Sequence, residues 1–197
     1  GKEKMLQTSK YHKNEHQMQE ELKLIEAAKQ NPARFEPLYT TYYEPIFRYV
    51  HQRVDDKESA FDITSQVFLK ALTNLPKYQF KGVPFASWLY RIATNEVYES
   101  FRQNQANRAI NVDSIHLYDM MDDLEEGRTE EMHNLLLKVL PELAEDDLQM
   151  IEMRYFEKRS FKEVSEILDI TETNAKVRAH RIIEKLKKIF HKHLKEL

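Results

Sequence analysis

The fold of the C-terminal part is decided by residues 160–181, SFKEVSEILDITETNAKVRAHR. Ser160 and Glu163 have the spacing of a capping box, in which each side chain bonds the backbone N–H of the other residue, so a helix is predicted to begin here. Its apolar stripe consists of Phe161, Val164, Ile167 and Leu168. After a short turn, Thr171 or Thr173 can cap a second helix. This pattern is typical of a helix-turn-helix, which places its second helix in the DNA major groove.

The turn between these helices contains Asp169, at a position where such turns often carry glycine. Aspartate tolerates the left-handed backbone conformation better than most residues, so we expect the turn to form around it. Ile170 follows and is apolar enough to fill the angle between the helices.

The second helix is predicted to pack on one side and to be basic along both edges. Its apolar face consists of Ala175, Ala179, Ile182, Leu186 and Ile189, and its cations are Arg178, Arg181, Lys185, Lys188 and Lys192 on one edge and Lys176, His180 and Lys187 on the other. A basic stripe alone is more often a solvated face, but here it follows a capping box and a turn. We therefore expect this helix to lie between phosphates, with its N-terminal residues, including Thr173 and Asn174, against base edges. Val177 points away from the predicted core and suits contact with a thymine methyl group.

Two further stretches mark the N-terminal half: residues 62–71, DITSQVFLKA, and residues 85–95, FASWLYRIATN. The first lies in a helix predicted from about Lys57 to Leu72, whose outer stripe contains Asp62, Gln66 and Leu69. An exposed leucine among polar groups indicates a protein partner, although single surface leucines are common.

The second stretch opens a helix predicted from about Phe85 to Arg102, after a loop at residues 78–84 that contains Gly82 and Pro84. Its polar stripe consists of Arg91, Asn95, Tyr98 and Arg102, and the aromatic residues in or beside the loop are Tyr78, Phe80, Phe85 and Trp88. Rings beside cations and amides suit single-stranded DNA, and the four rings could form a pocket for an extruded base. The alternative is that these rings belong to the core.

Composition predicts an all-α, intracellular protein. The 197 residues include only three glycines and six prolines, with no cysteine, so disulfides and thiolate metal sites are excluded. No apolar run approaches the ~20 residues that span a bilayer and no signal peptide is evident, so no stable membrane insertion is expected. We expect no metal site and no cofactor. No nucleophile–base pair or phosphate-binding glycine loop stands out, so we do not expect an enzyme.

Acidic and basic residues are distributed unevenly along the chain. Twelve acidic and two basic residues lie between Asp113 and Asp147, for a net charge of −10, whereas the segment from Thr173 to Lys195 has a net charge of +7. The polyanion-binding surface is therefore expected at the C-terminal end. We predict a polar tail at residues 1–20, a helical domain at 21–103, a flexible acidic linker at 104–128 and the helix-turn-helix domain at 129–197.

Taken together, the order and spacing of these motifs resemble the small extracytoplasmic-function sigma factors of the bacterial sigma-70 superfamily, over nearly the whole chain. The resemblance implies a region-two helical bundle and a region-four helix-turn-helix domain. Three sets of site residues are expected. Core polymerase binding is expected of Asp62, Ser65, Gln66 and Leu69. Minus-ten recognition and melting are expected of Lys81, Trp88, Arg91 and Asn95, together with Tyr78, Phe80 and Phe85. Minus-thirty-five recognition is expected of Lys176, Arg178, His180 and Arg181, together with Thr173, Asn174, Val177 and Lys185.

The resemblance further implies three partners: core RNA polymerase, promoter DNA and an anti-sigma factor or other protein inhibitor. It also implies a cytoplasmic location and a role in transcription initiation. Two alternatives remain open. One is a helix-turn-helix regulator that binds a palindrome as a dimer without polymerase. The other is an interaction protein that has kept the fold but lost promoter use, which the departures from the family pattern at Ser65, Gln66, Glu96 and Glu99 favour.

Overall fold

The computed structural model describes residues 13–196, which form two compact units, residues 13–111 and residues 112–196. The first unit contains α1 (Glu15–Gln30), α2 (Glu36–His51), α3 (Lys57–Asn74) and α4 (Phe85–Arg102). The second contains α5 (Ser114–Asp123), α6 (Glu130–Val139), α7 (Glu145–Ile151), α8 (Phe161–Leu168) and α9 (Glu172–Lys195). Between residues 13 and 196 the only β-pairing is one isolated bridge, Val54 with Arg108. The predicted all-α, two-domain class is confirmed.

Helix α1 begins earlier than the predicted polar tail would allow. Asn14 accepts a hydrogen bond from the backbone N–H of Gln17 at 2.8 Å, and the Gln17 side chain accepts from the Asn14 N–H at 3.0 Å. This reciprocal cap starts the helix at Glu15, because it satisfies two backbone donors that have no partner within the first turn. The first twelve residues of the predicted tail lie outside the described residues.

The core of the first unit lies where α2, α3 and α4 pack on one another. Val50, Val67, Ala93 and Val97 are fully buried there, one or two from each helix. Residues 104–111, the beginning of the predicted linker, also pack on this unit, since the Ala109 N–H donates to the Arg53 carbonyl at 2.9 Å.

The remainder of the predicted linker contains a helix, α5. Its apolar residues, Leu117, Met120, Met121 and Leu124, recur at helical spacing and are all buried, whereas its acidic residues occupy the outer face. Helix α5 contacts α6 and the π-helical turn Glu152–Phe156 that continues α7. Two effects raise the pKa of Tyr155 in that turn: the larger is burial, and the next is a hydrogen bond to the Asp123 carboxylate. The acidic segment is therefore part of the second unit's packing.

No helix within residues 13–196 combines the length and the apolar character needed to cross a bilayer. The same part of the chain has no group of three or more His, Asp or Glu side chains placed to hold a metal ion.

The position of α5 predicts a contrast between two substitutions on the same helix. Leu117 is 1% exposed, so Leu117→Ala should lower the free energy of unfolding of the second unit by about 2–5 kcal/mol. Ile115 is 67% exposed, and Ile115→Ala should change it by less than about 0.5 kcal/mol. Hydrogen exchange of α6 amides in the full chain measures both effects. Equal protection in the two variants would mean that α5 does not stabilise this unit.

Candidate nucleic-acid and protein interfaces

Helices α8 and α9 form the predicted helix-turn-helix. Asp169 has φ 57° and ψ 47°, so the expected left-handed turn is confirmed. The Ile170 N–H closes the turn by donating to the Ser165 carbonyl at 3.0 Å. Of the two candidate caps for α9, Thr171 is the one used: its hydroxyl oxygen accepts from the Asn174 N–H at 3.0 Å.

The capping box predicted for α8 is only half formed. The Ser160 hydroxyl oxygen accepts from the Glu163 N–H at 3.1 Å, as predicted. The Glu163 carboxylate does not return the contact, because its side chain is turned into a buried position, where Oε2 has no hydrogen-bond partner among the described residues. One cap bond is therefore sufficient to start the helix.

The N-terminal half of α9 presents most of the predicted DNA-contacting residues to solvent. The exposed members of the predicted set are Thr173, Asn174, Lys176, Val177, His180 and Arg181, and Arg178 is half-buried. The apolar side chain of Val177 is 46% exposed, so it is accessible for the predicted contact with a base methyl. Ala175, Ala179 and Ile182 are buried on the opposite side of the helix and hold it in place.

Lys185, the last of the predicted set, forms an ion pair within the second unit. Its Nζ lies 3.0 Å from Oδ2 of Asp147 on α7. Asp147, Arg178, Arg181, Ile182 and Lys185 line a shallow pocket of about 250 Å³. Lys185 is therefore partly neutralised by Asp147, and its electrostatic contribution to phosphate binding is smaller than the sequence predicts.

Three side chains in the distal part of α9 lie beside acidic residues of the same unit. Lys187 lies 4.0 Å from Glu125, His191 lies 3.1 Å from Glu126 and His193 lies 3.4 Å from Glu142. Exposed pairs of this kind add little stability, but the Lys187 pair offsets part of the charge of α9. Lys188, Lys192 and Lys195 in the same part are exposed, and Lys176 near the other end of α9 lies 3.7 Å from Glu172, so the helix carries positive charge along its whole length.

On the first unit, the predicted polymerase-binding residues share one solvent-facing stripe of α3. Asp62, Ser65 and Gln66 are exposed, and Leu69 is 57% exposed. Phe61 on the same helix is partly exposed and stacks on Phe47 of α2, with ring centroids 4.5 Å apart. The stripe thus joins polar groups to an apolar surface, a combination that suits a protein partner.

The aromatic residues around the loop at residues 78–84 divide into two layers. Phe85 is 1% exposed and Tyr78 is 7% exposed, so both are core rings rather than open contact residues. The partly accessible Trp88 lies 5.0 Å from Tyr78 and 5.3 Å from Phe85 between ring centroids. Burial and the nearby Glu21 carboxylate raise the pKa of Tyr78 to about 12. In this conformation Tyr78 and Phe85 support Trp88 and do not meet a base themselves.

The other predicted minus-ten residues remain accessible. Lys81 and Asn95 are exposed, and Phe80 and Arg91 are half-buried. Gly82 has φ +75° with nothing within 4 Å of a built Cβ, so the tip of the loop is open to solvent. These residues form, with Trp88, a surface of rings, cations and an amide.

The two unexpected acids on α4 are neutralised within the first unit. Glu96 pairs with Lys70 on α3. Glu99 pairs with Arg102 at 3.5 Å and accepts from the Gln103 side chain at 2.7 Å. Their charges therefore oppose DNA less than the sequence indicates.

Two family profiles match the chain in order. The profile described as Sigma-70 region 2 matches residues 38–107, and the profile described as Sigma-70, region 4 matches residues 133–186. The first match contains most of α2 and all of α3 and α4, and the second contains most of α6, all of α7 and α8, and most of α9.

Curated relatives align with most of the chain. ECF RNA polymerase sigma factor BldN of Streptomyces coelicolor is 25% identical over 171 residues, which cover 85% of this chain and 65% of BldN. RNA polymerase sigma factor SigZ of Bacillus subtilis is 29% identical over 154 residues, covering 78% of this chain and 85% of SigZ. Among solved structures, CnrH in complex with the cytosolic domain of CnrY matches with a TM-score of 0.53 at 15% identity, covering 84% of this chain and 96% of that chain. This last match shows a shared fold.

Proposed function

We infer the roles of the two units from the family to which the chain belongs: it is a member of the extracytoplasmic-function group of the sigma-70 family. It is an alternative sigma factor, an initiation factor rather than an enzyme, whose partners are core RNA polymerase and promoter DNA. What remains to be assigned is which residues perform each step, and where in the cell they act. Because its partner is RNA polymerase, we place it in the cytoplasm.

We assign minus-thirty-five recognition to the N-terminal half of α9. The observation that carries this assignment is the exposure of this half of the helix: Lys176, Val177 and Arg181 face solvent, whereas the opposite side, which carries Ala175, is buried. Cations near the N-terminal end can hold phosphates on both sides of the major groove while side chains between them meet base edges. Arg178 and Arg181 are the residues able to bond guanine in bidentate fashion.

We assign minus-ten recognition to Phe80, Lys81, Trp88, Arg91 and Asn95, with Tyr78 and Phe85 as supports. Rings that are partly open on one side and packed on the other can stack on an unpaired base, while neighbouring cations hold the backbone. Melting would need no ATP, because capture of an extruded base offsets the few kcal/mol lost on unstacking.

We assign polymerase binding to the α3 stripe of Asp62, Ser65, Gln66 and Leu69. Both units then meet DNA from a common platform. Polymerase fixes their spacing, so two weak DNA contacts act as one strong one. On this basis the isolated chain binds promoter DNA poorly.

We also propose a protein inhibitor. CnrH, which shares the fold, forms a complex with the cytosolic domain of CnrY. The exposed apolar groups near the α3 stripe would be a surface that such an inhibitor competes for with polymerase.

Transcription with purified components tests the function. Core RNA polymerase supplemented with this protein should produce transcripts from fragmented genomic DNA that start a fixed distance downstream of a shared two-part motif. Core polymerase alone should not. Binding to DNA as a dimer, with no binding to polymerase, would favour an ordinary helix-turn-helix regulator instead. Polymerase binding without any transcript would favour the interaction protein that lost promoter use.

Substitutions in α9 should separate base recognition from charge. Arg178→Ala or Arg181→Ala should cost about 1–3 kcal/mol of promoter discrimination and relax selectivity at one position of the minus-thirty-five element. Lys192→Ala is the matched control, because it removes an exposed cation of the same helix about 20 Å further along, at 1.5 Å per residue. Competition between wild-type and altered promoters measures the effect. Unchanged selectivity in both arginine variants would reject the major-groove assignment.

The α3 stripe predicts a separate defect. Asp62→Ala should weaken binding to core polymerase by about 1 kcal/mol or more, since it removes an exposed carboxylate from the proposed contact. Circular dichroism should remain unchanged, because Asp62 is not part of the core. Glu20→Ala, which removes an exposed acid on α1, is the control. Wild-type affinity for core polymerase in the Asp62 variant would exclude this contact.

A further inference from the structure

Helix α1 lies before residue 38, where the match to Sigma-70 region 2 begins, so that match does not include it. The loop at residues 78–84 carries part of the proposed minus-ten surface. Helix α1 contacts the first residue of this loop directly and is linked, through Tyr42 of α2, to Phe85 just after its end. Each attachment is made by a charged residue of α1.

The first attachment is at the beginning of the loop. Lys29 Nζ donates to the backbone carbonyl of Tyr78 at 2.6 Å and lies 5.7 Å from the centre of the Tyr78 ring. Tyr78 ends the 3₁₀ turn Leu75–Lys77, and a carbonyl at a helix end has no partner within the helix. Lys29 of α1 supplies that partner. Its Nζ also lies 3.3 Å from Oε1 of Glu26.

The second attachment is at the end of the loop. Glu21 is buried, and its carboxylate accepts from the Tyr42 hydroxyl and pairs with Lys13 at 3.0 Å. Burial and the Glu21 carboxylate raise the pKa of Tyr42. The Tyr42 ring meets Phe85, the first residue of α4, edge-on at 5.9 Å between centroids. A carboxylate of α1 thus holds a ring that supports the start of α4.

Between the two attachments the loop is open. Gln79, Lys81 and Gly82 are exposed, and the buried Tyr78 and Phe85 rings, 5.2 Å apart and perpendicular, close the loop behind Trp88. A loop with fixed ends and an open tip loses less conformational freedom when it captures a base, so its attachments contribute to melting without touching DNA.

We propose that Lys29 is a positioning residue for promoter melting, because it holds the start of the loop at residues 78–84 through the Tyr78 carbonyl. This inference rests on the proposed function of that loop. It predicts a defect limited to the step in which DNA opens, since Lys29 lies neither on the α3 stripe nor on α9.

The test compares Lys29→Met with Lys23→Met in holoenzyme assembled from core polymerase and the full chain. The first substitution keeps the apolar stem of a side chain that is 19% exposed but removes its donor, whereas the control alters a side chain on the same helix that is 74% exposed. Lys29→Met should reduce opening of a duplex promoter about tenfold, the order expected for loss of one charge-assisted hydrogen bond. Permanganate reactivity of minus-ten thymines measures opening, and binding of a fluorescent single-stranded minus-ten oligonucleotide should fall in parallel. Lys29→Arg should restore both.

Three results would overturn the inference. One is wild-type opening by Lys29→Met, and another is an equal loss in Lys23→Met. The third is a parallel loss of polymerase binding, which would indicate a general effect on the unit. If Lys29→Met does not fold, Lys29→Gln takes its place with the same expectation, because its shorter side chain reaches the Tyr78 carbonyl poorly. Failure of the wild-type holoenzyme to open any promoter would instead contradict the proposed function itself.

Discussion

The packing of α4 against α2 and α3 is the constraint on which the proposed promoter-opening surface depends. Leu89, Ala93 and Val97 recur every four residues and are fully buried, so the orientation of α4 is determined along its length. Residues on the opposite face, such as Trp88 and Asn95, inherit that orientation. Burial of apolar surface, worth about 25 cal/mol per Å², thus positions side chains that contribute little to stability themselves.

In the second unit, acidic side chains offset part of the positive charge of α9. The acidic segment and the basic end of the chain look opposed along the sequence, yet Lys185, Lys187 and His191 pair with acids of the same unit. A cation neutralised in this way has fewer phosphate counterions to release, so it adds less to DNA affinity and its salt dependence. Because Lys188, Lys192 and Lys195 remain exposed, α9 keeps positive charge along its length, but less than the net +7 of residues 173–195 indicates.

Local signals account for most of what the sequence predicted correctly. The bounds of α4, Phe85–Arg102, follow from Pro84 before it and the apolar period within it. The left-handed turn at Asp169 follows from residue chemistry at one position. Helix α5 was not predicted, because its short apolar stripe lies in an acidic segment and only the surface of α6 and the turn after α7 gives that stripe a partner. The pair of Lys185 with Asp147 joins residues 38 positions apart, and the burial of Tyr78 depends on α1; neither is visible in a local pattern.

The two aromatic layers beside the loop at residues 78–84 provide a way for the proposed minus-ten surface to hold DNA open without ATP. An extruded base gains stacking energy of about 1–3 kcal/mol on a ring, which is close to the cost of unstacking it. The balance then depends on whether the ring must first be ordered. Trp88 already lies against Tyr78 and Phe85, and those rings are held in turn by Lys29 and Tyr42. Most of the ordering cost is met when the chain folds, so little of the stacking energy is lost in preparing the site. On this view, the buried Tyr78 and Phe85 rings do not contact DNA themselves. They order Trp88, and this makes the accessible Trp88 ring effective at stacking on a base.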